Sequence, residues 1–76
     1  MRTPFNYTEP DWAPLERAVQ LAGLPVGRTM AEFWWMHEQP EGVHHYKHRD
    51  TRLYALLAAN TPETMCAAML HSARGK

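Results

Sequence analysis

The segment EFWWMHEQPEGVHHYKHR, residues 32–49, decides the fold. At its centre Gln39-Pro40-Glu41-Gly42 reads as a tight turn. Proline is preset for the second turn position, and glycine tolerates the positive φ that closes such a turn. The aromatic-rich run Phe33-Trp34-Trp35-Met36 before the turn favours a strand over about 32–39. Val43 to Arg49 is then the returning strand. A type I turn with a glycine bulge pairs Gln39 with Val43. That register sets His37 opposite His45, Met36 opposite Tyr46 and Trp35 opposite Lys47.

Outward from this hairpin, both flanks read as helix. Towards the N-terminus, Trp12, Leu15, Val19 and Ala22 recur at helical spacing in a helix from about Asp11 to Ala22. Asp11 can cap it, Pro14 falls in its first turn, and Gly23-Leu24-Pro25 stops it. Pro25 to Met30 connects this helix to the hairpin, and Thr29-Met30-Ala31-Glu32 has the form of a capping box, leaving room for one helical turn before the strand. Residues 1–10 read as an extended arm, because Pro4 and Pro10 disfavour helix before them. Phe5 and Tyr7 are apolar enough to lie back on the domain.

Towards the C-terminus, Arg52 to Ala58 fits two patterns. Leu53, Leu56 and Leu57 suit a helix, whereas Tyr54 and Leu56 suit one face of a strand. A strand is preferred, because a lone two-stranded hairpin is weak. Thr61 and Pro62 begin a last helix that runs to about Ser72, with Met65, Cys66, Met69 and Leu70 as its stripe. Residues 73–76 read as a frayed tail. The expected fold is therefore α+β: an N-terminal helix, a two- or three-stranded antiparallel meander and a C-terminal helix sharing one core.

The chain has 76 residues, enough for one domain spanning 1–76 and too few for a separate cofactor domain. Eight Lys and Arg balance eight Asp and Glu, giving zero net charge with neutral histidines. That balance argues against a strongly basic nucleic-acid binder but leaves room for charge segregated on the surface. One cysteine makes no intrachain disulfide, the start lacks the apolar run of a signal peptide, and Leu53 to Ala59 is too short to span a bilayer. These features lead to an expectation of a cytoplasmic protein with no membrane association.

The patterns that suggest chemistry are weak. His44 and His48 would share a helix face, but on a strand they lie roughly 13 Å apart. His37 and His45 are the better pair, yet zinc needs a third or fourth ligand, and Glu41 belongs to the turn. His48-Arg49-Asp50 matches the letters of the kinase catalytic loop, in a chain too short for the other parts of that machinery. It reads instead as a strand end followed by a turn-forming aspartate. Cys66 and His71 are five residues apart and diverge around the helix, so Cys66 reads as a buried apolar residue. No catalytic residue, cofactor site or metal site is assigned, and the protein is expected not to be an enzyme.

The pattern that remains is a sheet face. In the register above, Phe33, Trp35, His37, His45, Lys47 and Arg49 share one face, which Arg52, Tyr54 and Leu56 join if the third strand forms. The opposite face, with Trp34, Met36, Tyr46 and His48, would pack on the helices. The expected partner-binding residues are Phe33, Trp35, His45, Lys47, Arg49, Arg52 and Tyr54. Trp, Tyr and Arg dominate protein interfaces, while aromatic groups beside cations also suit bases and phosphates. The expectation is thus a small binding module for a protein partner, acting by surface occlusion. By analogy of size alone, that is how small inhibitors of phage or mobile elements work. A homodimer is one form it can take, and a nucleic-acid-binding protein and a histidine-dependent metal binder are the alternatives.

Overall fold

The computed structural model describes residues 10–75. The arm at 1–9, with Phe5 and Tyr7, lies outside the described residues. Three helices and three strands follow in the order α1 (Ala13–Leu21), α2 (Val26–Met30), β1 (Phe33–Glu38), β2 (His44–His48), β3 (Tyr54–Leu57) and α3 (Glu63–Arg74). The strands form one antiparallel sheet in the order β1-β2-β3. The α+β architecture read from the sequence is present, with β3 as a strand.

Helix α1 forms and stops as its sequence dictates. The Asp11 carboxylate accepts the Ala13 N–H at 3.0 Å, tying down the first turn. At the other end Gly23 takes a φ of 73°, where an L side chain would be strained. Its N–H donates to the Gln20 carbonyl at 3.0 Å, and the Leu24 N–H donates to Val19 at 3.1 Å. This pair of bonds is a Schellman closure, and Leu24 turns back onto the core. The five-residue helix α2 follows. Thr29 and Met30 end it and Ala31 is its C-cap, so Thr29-Met30-Ala31-Glu32 closes a helix rather than opening one as a capping box.

The turn forms as expected. The Gly42 N–H donates to the Gln39 carbonyl at 2.9 Å, Gly42 has a φ of 83°, and the Gln39 N–H donates to Val43 at 2.8 Å. His37 stands opposite His45. Beyond that point the expected register fails, because a β-bulge falls between Trp35 and His37. Trp35 pairs with Tyr46 rather than Lys47, and Trp34 pairs with Lys47. Met36 is the extra residue, with no partner on β2. The cause is a conflict between the two ends of the hairpin. The turn fixes His37 against His45, while the Arg49 N–H bond to the Glu32 carbonyl, at 2.8 Å, fixes Phe33 against His48. Four steps on β1 must match three on β2, so one residue bulges out. The bulge swaps the faces of Phe33, Trp34 and Trp35 relative to the simple register.

The core lies between the helices and the sheet face carrying Phe33, Tyr46, Ala55 and Leu57. Leu15, Ala18 and Val19 from α1 and Cys66, Leu70 and Ala73 from α3 close it, all fully buried. Burying a ring such as Phe33 is worth about 1.5–3 kcal/mol, which is why the bulge is tolerated. Trp34, Met36 and Met65, expected in this core, are instead 37%, 40% and 49% exposed. The C-terminal stretch also differs from expectation. Helix α3 continues through Ala73 and Arg74, Gly75 closes it at a φ of 79°, and the Thr51 hydroxyl donates to the Ala73 carbonyl. Burial of Ala73 holds what read as a frayed tail. Thr61 does not cap α3; its hydroxyl accepts the Ala58 N–H at 2.8 Å in the preceding loop.

Candidate functional site

Among the described residues the helices cover one face of the sheet and leave the other uncovered. Cross-strand pairing arranges the uncovered face in two rows: Trp34, Lys47 and Tyr54, then His37, His45 and Leu56. Arg49 and Arg52, from the loop after β2, add their guanidinium groups over the Trp34 ring, at 5.1 and 5.8 Å from its centroid. The Lys47 ammonium lies 5.6 Å from the Tyr54 ring centroid. Each exposed ring therefore has a cation beside its π face, an arrangement favoured by the ring quadrupole. No Asp or Glu occupies either row.

His45, Lys47, Arg49, Arg52 and Tyr54 thus meet on one face, as the sequence reading placed them. Phe33 and Trp35 do not join them. Phe33 is 1% exposed and meets the His48 ring edge-on at 5.0 Å. Trp35 packs against the core, and its indole N–H donates to Nδ1 of buried His44 at 2.9 Å. Trp34 takes their place, for the register reason given above. Three adjacent large aromatic residues carry no local sign of which one faces out.

His37 and His45 stack, with ring centroids 4.0 Å apart and planes 24° from parallel. Burial, and secondarily the charge of a protonated His37, pushes the His45 pKa below its ordinary value. Its Nε2 is buried without a hydrogen-bond partner among the described residues. Among the described residues no group of three or more His, Cys, Asp or Glu is placed to hold a metal ion. His44 and His48 both point into the covered side, where each is 4% exposed.

A second polar cluster, missed by the sequence reading, lies at the end of the sheet. A cleft of about 170 Å³ is lined by Glu32, His48, Asp50, Thr51 and Arg74. Nδ1 of His48 accepts the backbone N–H groups of Asp50 and Thr51, at 3.2 and 3.3 Å. Its other nitrogen, Nε2, therefore carries the hydrogen and donates to Glu32 at 3.1 Å. Arg74 Nε donates to the same carboxylate at 3.0 Å. Arg74, then His48, hold the Glu32 carboxyl below the usual carboxylate range against the opposing effect of burial. Both ring nitrogens of His48 are engaged, so neither is free to act as a base. The His48-Arg49-Asp50 sequence is a loop anchor in which His48, not Asp50, organises the turn. Glu32 and Arg74 stand 42 residues apart, and nothing local in the sequence marks them as partners.

Cys66 is fully buried. Its Sγ faces the Thr61 carbonyl at 3.6 Å and accepts from Arg17 at 3.5 Å. His71 is on the exposed side of α3. Among the described residues no helix is long and apolar enough to cross a membrane.

Comparison of the chain with protein-family models, curated proteins and solved structures gave no match. The fold and face therefore define the protein only at the level of a small α+β domain with one uncovered aromatic and cationic sheet surface.

Proposed function

We propose that this protein is a non-enzymatic binding module. It uses the uncovered sheet face to cover an acidic surface of a macromolecular partner. The observation that carries this reading is charge segregation. In a chain of zero net charge, Lys47, Arg49 and Arg52 gather around Trp34 and Tyr54, with no carboxylate in either cross-strand row. Aromatic rings and arginines are the side chains that contribute most per contact at interfaces, and the cations steer an acidic partner towards them. The protein-partner expectation and its nucleic-acid alternative both fall within this reading, since both supply anionic surface.

Retention on immobilised heparin at neutral pH and low salt tests it. The full chain is expected to bind. Arg49→Ala should elute at clearly lower salt, while Arg28→Ala, which removes an exposed cation from α2, should elute with the parent. The two variants carry equal net charge, so only position separates them. Passage of the parent through the column unretained, or equal shifts for both variants, would defeat the reading.

A further inference from the structure

We infer that the ligand of the uncovered sheet face is a single-stranded nucleic acid, its bases stacked on Trp34 and Tyr54 and its phosphates on Lys47, Arg49 and Arg52. The inference rests on the binding-module reading and narrows it to one chemistry.

The first argument is the order of groups across the face. Trp34, Lys47 and Tyr54 form one row across three strands. Neighbouring strands are about 4.8 Å apart, so the two rings are anchored roughly 10 Å apart with a cation between them. Ring, cation and ring alternate as base and phosphate alternate along a single strand. Each ring has a cation within 6 Å of its centroid. A base that stacks on either ring displaces the cation lying over it, and that cation is then free to meet the base's own phosphate. Such stacking is tolerant of sequence, because every base has a π face.

The second argument is what occupies the centre. Protein interfaces concentrate apolar groups at the middle, deplete charge there, and are particularly poor in lysine. Here Lys47 stands at the middle of its row, beside the stacked His37–His45 pair. The exposed aliphatic groups Met36 and Leu53 belong to the bulge and to the loop, and half-buried Leu56, at the β3 end of the second row, is the one aliphatic member of either row. This suits a ligand that carries charge at regular intervals better than an apolar protein surface.

The third argument excludes a duplex. Reading double-stranded DNA takes a helix or ribbon that enters a groove. Among the described residues no helix projects from this face, since α1 and α3 pack on the opposite side, and an open sheet surface suits splayed bases.

The test is binding of the full chain to dT12, a 12-nucleotide single strand, followed by tryptophan fluorescence and by anisotropy of a labelled strand. A 12-base-pair duplex and poly-L-glutamate of equal charge serve as comparison ligands. Three phosphate contacts predict a slope of about −2 for log K against log salt, reduced by about 0.7 for each of Lys47→Ala, Arg49→Ala and Arg52→Ala. Trp34→Ala should weaken dT12 binding about 5-fold or more, and Trp34→Phe should restore most of it, as stacking requires. Preference for the duplex, or equal binding of dT12 and polyglutamate unaffected by Trp34→Ala, would overturn the nucleic-acid inference and leave the binding-module reading standing. Failure to bind any of the three polyanions would overturn both.

Discussion

Nε2 of His48 lies 3.1 Å from Oε1 of Glu32, and this contact ties the end of β2 to the entry of β1. Through Arg74 on the same carboxylate, the C-terminal turn of α3 is fastened there as well. Nδ1 of the same imidazole takes two backbone N–H groups of the β2–β3 loop. One side chain thus sets the loop from which Arg49 and Arg52 reach Trp34, linking local loop structure to the candidate binding face.

His48→Ala should therefore lower stability by about 2–4 kcal/mol. It strips three hydrogen bonds and opens space beside Phe33 in a buried site. A domain of this length has about 4–11 kcal/mol in total, so the urea midpoint should fall by a large fraction. An unchanged midpoint would show that the loop holds itself. Glu32→Gln is expected to act through pH. The Glu32 carboxyl titrates below its ordinary value of 4.5 in the folded chain, so its contribution is full above that value and fades as the pH falls through the lowered one. Stability measured from pH 6 to pH 3 should decline less steeply in Glu32→Gln. Because the carboxylate is partly exposed, the effect at neutral pH should be modest, about 1 kcal/mol or less.

Trp34 and Trp35 should behave as opposites. Trp35→Phe removes the donor to Nδ1 of buried His44 and is expected to cost about 1–2 kcal/mol by denaturation. Trp34→Phe changes an exposed ring and should stay within about 0.5 kcal/mol of the parent. The reverse order would mean that the bulge at Met36 is absent and that Trp35 faces outward.

Most of the fold was legible in the sequence because its signals are local. Gly23 ends α1, Pro40 and Gly42 set the turn, and the stripes of Leu15 with Val19 and of Cys66 with Leu70 mark the buried helix faces. The bulge was not legible. It follows from satisfying two distant constraints at once, the turn at 39–43 and the Glu32–Arg49 hydrogen bond, and no glycine announces it. The candidate site inherited that error. Lys47, Arg49, Arg52, His45 and Tyr54 follow the bulge-free strand β2, its loop and β3, whereas Phe33 and Trp35 belong to the strand that shifts.

His45 should make stability depend on pH in a higher window than Glu32 does. Its folded pKa is pushed below 6.5 by burial, with His37 stacked on it from β1 and Tyr54 meeting it edge-on from β3. Below that pH the unfolded chain takes up the proton more readily than the folded one, so the contribution present above 6.5 is lost as the pH falls from 6.5 towards the lowered pKa. His45→Phe keeps a ring against both neighbours and removes the titration. Its unfolding midpoint should therefore change less than the parent's between pH 7 and pH 5. Identical profiles would mean that the His45 proton is bound equally in both states.

Arg52 is the described non-glycine residue with a positive φ, 65°. An L side chain there costs about 1–2 kcal/mol, and glycine would relieve most of it while adding freedom to the unfolded chain. Arg52→Gly is therefore expected to raise stability by about 0.5–1 kcal/mol. It does so despite losing the 3.2 Å bond from Arg52 Nε to the Arg49 carbonyl, which is exposed and worth little. The same change removes a guanidinium from above Trp34 and should weaken polyanion binding. A residue kept in a strained conformation where glycine fits better is explained by what its side chain does. Paired measurements on Arg52→Gly, the denaturation midpoint and the salt needed for elution from heparin, separate the two effects. A more stable protein that binds as tightly as the parent would remove Arg52 from the binding face, and a less stable one would show that the hydrogen bond to Arg49 outweighs the backbone strain.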